Sequence, residues 1–398
     1  MGLVMADGRA GIVDSHHLYV HVPFCRLVCA YCDFVTVGGR ARDIPRYVEA
    51  LLGELGLRPA SGILATVYFG GGTPSLLPAD AVGRVLQAAV DHWGSEPDEV
   101  TLEANPSERE TPDWVALRDA GVNRLSIGVQ SLSDADLVAL ARGHTAAEAR
   151  AAYAAARRAG FDNISIDLIY GVPGQTLDGW HGGLLAAVAL EPDHLSLYGL
   201  QLALAPDEWA APPRRGALRW RERLALRQDE DLAAEQYCLA EALLDASGYR
   251  HYELSSWARP GCESRHNSAY WRRRPYTGLG AGAHSYDAAG RSWNSRDLDR
   301  YLAGVEAGER PLAGSEEPDE PVRAFEAVAL GMRLLAGVSR SAFAAEFGSD
   351  PVERFPQALD DGIRNGLLEV DGDALRLTAR GRLLANEALV GFAPSSSR

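Results

Sequence analysis

The chain has 398 residues and a formal charge of −15 at pH 7, and every one of its 39 basic side chains is an arginine. A chain of this length can bury a large core and form one large domain with one or two smaller ones. The negative charge argues against wholesale binding to nucleic-acid backbones, which requires clustered positive charge, and the lack of lysine excludes Schiff-base and lysine general-base mechanisms.

Short β-branched runs alternate with alanine-rich helical segments through the first half of the chain. Strand alternating with helix predicts a parallel sheet with right-handed crossovers. Six such units are fewer than the eight of a closed barrel, so the expected fold class is α/β, with a TIM-like partial (βα)6 barrel over residues 17–205 after a tail of residues 1–16. The predicted strands are Leu18–Val22, Thr66–Phe69, Val100–Glu103, Arg124–Val129, Ile164–Ile169 and His194–Leu200; the predicted helices are Ile44–Leu57, Ala79–Trp93, Asp113–Ala120, Ala146–Ala159 and Leu177–Leu190.

Three cysteines follow the first predicted strand with the spacing C-x3-C-x2-C: Cys25, Cys29 and Cys32. Three thiolates can hold three irons of a cubane cluster and leave the fourth iron open to a small molecule. Two alternatives are a zinc site with His21 as the fourth ligand and a set of packed apolar thiols. The spacing favours a reactive cluster site over these two structural alternatives.

Polar and glycine-rich motifs follow the next strands, at the carboxyl ends where barrels of this kind place their chemistry. Gly70–Gly72 let the backbone approach a ligand closely and expose its N–H groups. Glu103 ends the third strand, where a carboxylate suits a ribose hydroxyl or an ammonium group. Asp167 lies inside an apolar run, where a carboxylate is costly to bury unless it is paired or binds something. Gln130 and Arg142 follow the fourth strand.

The cysteine spacing, the aromatic Tyr31 before the last cysteine and the lead-in from Tyr19 to Phe24 together resemble the radical S-adenosylmethionine (SAM) superfamily. Within it, the match is to the oxygen-independent coproporphyrinogen III oxidase-like branch. The resemblance implies a [4Fe–4S] cluster on the three cysteines, reduced by an external reductant, with SAM chelated to the open iron and cleaved to a 5'-deoxyadenosyl radical. It also implies a SAM-binding set: Tyr19, Tyr31, Gly71, Gly72, Thr73, Glu103, Gln130, Arg142 and Asp167.

The resemblance to the oxidase-like branch becomes weaker after the sixth predicted strand. Residues 200–206 are almost wholly apolar, whereas related proteins have a short polar and acidic stretch there, so contacts from this loop to a substrate or partner are in doubt. Trp209–Arg223 is predicted to be an exposed connector, and Asp229–Ser247 a helix. This connector begins a segment, residues 206–314, that we expect to complete the core.

A second motif, H-N-x-x-Y-W, lies in that segment: His266, Asn267, Tyr270 and Trp271. It resembles the signature of the HemW-type heme chaperones, the non-oxidase members of the branch, and implies heme binding by these four residues. A histidine can ligate heme iron and aromatic rings can cover a porphyrin face, so His266 either binds the iron or shapes the pocket. Arg272–Arg274 form either a solvated basic turn or partners for heme propionates.

The acidic, proline-containing run Ser315–Pro321 is interpreted as a domain boundary. Two predicted helices, near Val322–Ala336 and Ser341–Phe347, are followed by a small hairpin within residues 366–378 and a final helix. This order predicts a winged-helix-like domain over residues 315–398. This domain lacks a dense basic stripe, so we do not expect it to bind DNA. Its expected role is that of the accessory C-terminal domain of the oxidase-like branch.

Two functions within the branch are compatible with this organisation. The true oxidase carries a further cysteine two residues after the third, where this chain has Phe34, and a longer stretch ahead of the cluster than the 24 residues found here. Both departures favour a heme chaperone that binds the cluster, SAM and heme and transfers heme to acceptor proteins. The alternative is the oxidase, which decarboxylates two propionates of coproporphyrinogen III by radical chemistry.

Targeting signals are not evident. Residues 1–15 contain no apolar run of secretory length, and no run elsewhere reaches the ~20 apolar residues of a membrane span. Five cysteines, three of them clustered, do not make a disulfide framework in so long a chain. We therefore expect a cytoplasmic protein without an integral membrane segment.

Overall fold

The computed structural model describes residues 15–107, 112–202 and 216–394. The strands in this part of the chain are β1 (Ser15–Val22), β2 (Phe24–Cys25), β3 (Val37–Gly38), β4 (Ile63–Gly71), β5 (Glu99–Ala104), β6 (Arg124–Gln130), β7 (Ile164–Tyr170), β8 (His194–Gly199), β9 (Arg250–Glu253), β10 (Ser256–Ala258), β11 (Tyr276–Leu279), β12 (His284–Asp287), β13 (Gly290–Asn294), β14 (Leu312–Glu316), β15 (Val338–Ser339), β16 (Leu368–Asp371) and β17 (Ala374–Leu377). The helices are α1 (Ile44–Gly56), α2 (Ala79–Trp93), α3 (Trp114–Asp119), α4 (Asp134–Ala139), α5 (Ala146–Arg158), α6 (Leu177–Val188), α7 (Ala217–Ala225), α8 (Glu230–Ala246), α9 (Arg265–Trp271), α10 (Leu298–Glu306), α11 (Glu320–Gly331), α12 (Arg340–Phe347), α13 (Pro351–Arg354), α14 (Pro356–Arg364), α15 (Ala379–Leu383) and α16 (Ala385–Val390).

The six predicted strands are confirmed as β1, β4, β5, β6, β7 and β8, which lie side by side in this order and run parallel. The sheet is wider than predicted. A seventh parallel strand, β11, pairs with β1, and antiparallel strands extend both edges, β12–β14 beyond β11 and β10–β9 beyond β8. The α/β partial-barrel prediction is therefore confirmed, with added strands supplied by residues 250–316.

Strand β1 shows how the barrel divides its two faces. Leu18, Val20 and Val22 are fully buried in the core that the helices cover. Because side chains alternate along a strand, His17, Tyr19 and His21 face the other side. That side is filled with hydrogen-bonded polar and aromatic groups. Since all seven strands are parallel, their carboxyl ends meet at one edge of the sheet, and the loops that follow them converge there.

The predicted connector Trp209–Arg223 is corrected in part. Residues 209–215 lie outside the described residues, but Ala217–Ala225 form helix α7, and Ala217, Arg221 and Leu224 are buried. Spacings of four and three residues place these side chains on one helical face. Because an arginine lies in the middle of that face, the apolar pattern of a buried helix is interrupted, and the sequence indicates a polar linker.

The C-terminal residues form the predicted winged-helix-like arrangement, in which helices accompany the three-stranded sheet β15-β17-β16. Its own core includes Val328, Phe343 and Leu375. The structure adds α13 and α14, which the sequence analysis did not predict. Both helices begin at a proline, a residue that is favoured in the first helical turn because it has no N–H to leave unpaired. None of the described helices has the length and apolar character needed to cross a membrane.

Candidate functional site

The loops after the parallel strands enclose a cavity of about 430 Å³. All three cysteines of the predicted cluster line it, together with eight of the nine predicted SAM-binding residues. The structure thus brings together side chains that lie up to 142 residues apart in sequence. The predicted residues on the cavity wall are Cys25, Cys29, Cys32, Tyr31, Gly71, Gly72, Thr73, Glu103, Gln130, Arg142 and Asp167.

The glycine turn after β4 packs directly against the chain that leads into the cysteine loop. Gly71 has a φ of +114°, and a Cβ at this position would lie 2.5 Å from the His21 ring. A Cβ at Gly72 would lie 2.8 Å from the backbone of Pro23. Real Cβ atoms do not approach other atoms so closely, so glycine is required at both positions.

Two cysteine thiols receive hydrogen bonds from other elements of the barrel. Thr73 Oγ1 lies 3.6 Å from Cys25 Sγ, and Arg142 Nη1 lies 3.1 Å from Cys29 Sγ. The third thiol, Cys32, is half-buried, and desolvation raises its pKa to about 12. A cation or metal at this position would therefore be needed to stabilise the thiolate.

Arg142 connects three loops around the cavity. Its Nη1 also donates to the hydroxyl of Tyr31 over 3.3 Å, and its Nη2 donates to Asn105 Oδ1 at 2.8 Å and to the carbonyl of Gly128 at 3.0 Å. The planar guanidinium holds these partners in one fixed geometry. A side chain with a single point charge could not reproduce this set.

Glu103 accepts hydrogen bonds on both carboxylate oxygens, from the Tyr68 hydroxyl at 2.8 Å and from the Gly71 N–H at 3.0 Å. The pKa of Glu103 is raised to about 7, chiefly by burial; the hydrogen bond from Tyr68 opposes this shift and the charge of Asp167 adds to it. A carboxyl group whose pKa lies near neutral pH can ionise to pair with an incoming cation or accept a hydrogen bond from a hydroxyl group.

Asp167 is held by the hydroxyls of two serines, Ser126 on β6 at 2.9 and 3.0 Å and Ser165 on β7 at 3.2 Å. Burial raises its pKa above the ordinary range for an aspartate, and these hydrogen bonds oppose that shift. The serines supply the partners that a carboxylate among β-branched residues needs.

Tyr19 is the one predicted SAM-binding residue that the structure does not bring to the cavity wall. Its hydroxyl bonds to His21 Nδ1 over 3.0 Å, behind the glycine turn. His21 Nε2 is hydrogen-bonded to the carbonyl of Val35 at 2.7 Å, so neither ring nitrogen faces the cysteines. The zinc alternative therefore lacks its fourth ligand in this conformation.

The predicted heme motif lies on helix α9, and the structure separates its four members. His266 is fully buried, with Nδ1 hydrogen-bonded to Thr66 Oγ1 at 2.7 Å and Nε2 to the Tyr270 hydroxyl at 2.8 Å. Both ring nitrogens are thus engaged. Asn267 lines the main cavity, whereas Tyr270 and Trp271 line a second one.

The second cavity measures about 300 Å³ and lies between the barrel and helix α11 of the C-terminal domain. Three arginines line it. Arg273 pairs with Glu346 at 2.7 Å and Arg291 with Glu326, whereas Arg274 has no carboxylate partner among the described residues. The cavity therefore combines aromatic rings with one guanidinium available for an anionic ligand.

Sequence reasoning missed two residues of the site. Asn105 accepts from Arg142 and donates from Nδ2 to Thr73 Oγ1 at 2.9 Å, so it links the two residues that contact the thiols. Its position directly after β5 is a signal that could have found it. Arg221 donates to the backbone of the cysteine loop, and nothing in the arginine-rich sequence around it distinguishes this residue.

Comparison with known proteins shows the family of the chain. The family model of the radical SAM superfamily matches residues 19–181, and that of the HemN C-terminal domain matches residues 319–384. The E. coli protein described as "Coproporphyrinogen III oxidase (HemN)", a radical SAM enzyme, shares the fold with a TM-score of 0.80 at 24% identity, covering 95% of this chain and 90% of that chain.

Curated relatives match over nearly the whole chain. The "Heme chaperone HemW" of Mycobacterium tuberculosis is 39% identical over 378 residues, covering 93% of this chain and 92% of the relative. The protein of the same name from Bacillus subtilis is 33% identical over 384 residues, covering 94% and 98%. The chain therefore belongs to the HemW family within the radical SAM superfamily.

Proposed function

We propose that this protein is a heme chaperone that binds a [4Fe–4S] cluster, SAM and heme, and that it passes heme to acceptor proteins in the cytoplasm. The observation that carries the proposal is the near full-length identity to relatives named as heme chaperones. The two cavities on either side of helix α9 support it, because they offer separate places for SAM and for heme.

Cys25, Cys29 and Cys32 would hold the cluster. Across the described residues no three His, Cys, Asp or Glu side chains converge on a single metal ion, but a cubane spreads its ligands and takes one thiolate per iron. The donor set fits this group, since three thiols face one cavity and Arg142 donates to one of them. When bound and reduced by an external donor, such a cluster would supply an electron to SAM.

The remaining cavity residues would hold SAM. Backbone N–H groups of Gly71 to Thr73 suit its amino acid part, and the carboxyl group of Glu103 suits an ammonium or ribose hydroxyl. Gln130, Tyr31, Arg142 and Asp167 complete the wall. Tyr19 would act indirectly, through the His21 ring that supports the glycine turn.

Heme would dock at the second cavity. One edge of the macrocycle would enter the cavity, with Tyr270 and Trp271 against the porphyrin and Arg274 placed to pair with a propionate. His266 would shape this pocket by fixing α9 through Thr66 and Tyr270, and Asn267 would face the SAM side.

The alternative function is the oxidase, and the shared fold with HemN is the observation that favours it. Phe34, at the position where the oxidase carries its extra cysteine, is 64% exposed and lines the mouth of the main cavity. Anaerobic incubation of the cluster-loaded protein with coproporphyrinogen III, SAM and a reductant separates the two functions. A chaperone yields no protoporphyrinogen, whereas the oxidase yields it in a SAM-dependent manner.

Transfer tests the chaperone function itself. The protein is loaded with heme, freed of unbound heme by gel filtration, and mixed with an apo heme protein that can be separated by size. Heme should co-elute with the chain first and then move to the acceptor. Heme that fails to co-elute with the chain would contradict the proposal.

A further inference from the structure

Helix α7 contacts the rim of the barrel through apolar side chains and the cysteine loop through a buried arginine. Leu224 belongs to a small cluster with Leu140 and Ile169 on the rim of the barrel, and Trp220 packs against it. Arg221 lies on the same buried face. The packing of the helix therefore points a guanidinium at the loop that carries the cysteines.

Arg221 contacts the second half of that loop at three points. Its Nε donates to the carbonyl of Ala30 at 2.8 Å, and its Nη2 donates to the carbonyl of Cys32 at 3.1 Å. Nη2 also lies 2.8 Å from Asp33 Oδ1 in a salt bridge. The side chain of Arg221 is 5% exposed and that of Asp33 is 40% exposed, so the guanidinium is shielded from water whereas the carboxylate is partly solvated.

The loop needs such support because residues 26–36 form no helix or strand. Its first half is held near Cys25 and Cys29 by Thr73 and Arg142. Its second half, from Ala30 to Asp33, receives the Arg221 bonds. Hydrogen bonds to a charged group are the stronger class and are more costly to lose when buried.

We propose that Arg221 is a positioning residue for the cluster: it fixes the Ala30–Asp33 half of the loop so that Cys32 is in place before metal arrives, and its fixed positive charge favours the reduced, more negative cluster. The second part rests on the proposed function, whereas the first concerns the metal-free chain. Net charge and hydrogen bonding near a cluster are among the factors that set its reduction potential.

Amide hydrogen exchange of the metal-free protein tests the first part. In Arg221→Gln, peptides covering residues 26–34 should exchange about tenfold faster than in the wild type. Arg223→Gln is the matched control, since Arg223 lies two positions along the same helix and is exposed. If Arg221→Gln does not fold, Asp33→Asn removes the salt bridge alone and should give a smaller change in the same peptides.

Reduction potentials of the reconstituted variants test the second part. Arg221→Gln should have a more negative midpoint potential than the wild type, and Arg221→Lys, which keeps the charge, should restore it. Exchange rates equal to those of Arg223→Gln, faster exchange spread evenly over the whole chain, or a potential that Arg221→Lys does not restore would each overturn the proposal. A chain that shows the local exchange change but takes up no iron would instead contradict the proposed function.

Discussion

Arg142 and Cys29, which are 113 residues apart in sequence, are joined by a hydrogen bond of 3.1 Å from Nη1 to Sγ. The same guanidinium binds Asn105 and the carbonyl of Gly128. The loop after β6 is thereby linked to the cysteine loop and to the end of β5. In a cluster held on the cysteines, Arg142 would donate a hydrogen bond to one of the sulfur ligands.

Arg142→Lys should weaken the hold on the cluster because an ammonium cannot contact all of these partners at once. Partners of metal ligands typically contribute about 10- to 100-fold in metal affinity. The measurement is the rate of iron release to a chelator from anaerobically reconstituted protein. Arg158→Lys, an exposed position at the end of α5, is the control and should behave as wild type. Equal rates of iron release from the two variants would show that Arg142 does not help to hold the cluster.

Cys29→Ala should abolish cluster assembly and leave the metal-free fold intact, since a cubane needs all three thiolates here. Cys238→Ala, at an exposed cysteine, should take up iron like the wild type. Iron per chain and visible absorption after reconstitution report the outcome. A Cys29→Ala protein with the full iron content of a cluster would show that the motif does not ligate it.

Six of the parallel strands could be predicted because short β-branched runs alternate regularly with helical segments. Strand β11 was missed, since its four residues include a glycine and its partner β1 lies more than 250 residues away. The cysteines that line the cavity were predicted from their spacing, and the strand-end residues beside them from their positions after the predicted strands together with the family resemblance. The burial of His266 could not be predicted, because it depends on a contact with Thr66, which lies 200 residues away on strand β4.

Glu103 should make stability depend on pH in a defined direction. Its folded pKa of about 7 exceeds the ordinary value of 4.5, so between these values the folded state binds more protons than the unfolded state. Stability therefore falls as pH rises from about 4.5 to 7, by on the order of 2–3 kcal/mol for this group. Glu103→Gln should remove that contribution.

Urea unfolding of the cluster-free protein at pH 5 and pH 7.5 measures the effect of Glu103. The free energy of unfolding of Glu103→Gln, taken relative to wild type, should be higher at pH 7.5 than at pH 5. A difference between the two proteins that stays constant with pH would mean that Glu103 titrates normally in the folded state.

Glu54 should be essential to stability although it lies away from the cavity. This fully buried carboxylate accepts from Asn294, Gly280 and Tyr301 and pairs with the buried Arg58. Glu54→Leu leaves the Arg58 charge uncompensated, which typically costs about 3–5 kcal/mol.

The matched control for Glu54 is Glu49→Leu, on the same helix, where an exposed carboxylate pairs with the exposed Arg84 at 2.8 Å. Exposed pairs contribute little, so urea unfolding should show a large loss for Glu54→Leu alone. Similar losses in both variants would indicate that the buried network does not stabilise the junction of α1, β11 and α10.

We propose that the chain carries heme beside a radical SAM site, and the decisive experiment is an anaerobic heme titration of the cluster-loaded protein, followed in the Soret band. Arg274→Gln and Arg272→Gln are compared, because Arg274 lines the second cavity and Arg272 is exposed beside it. We expect saturation near one heme per chain, with weaker binding in Arg274→Gln and unchanged binding in Arg272→Gln. Heme uptake that does not saturate in the wild type would contradict it.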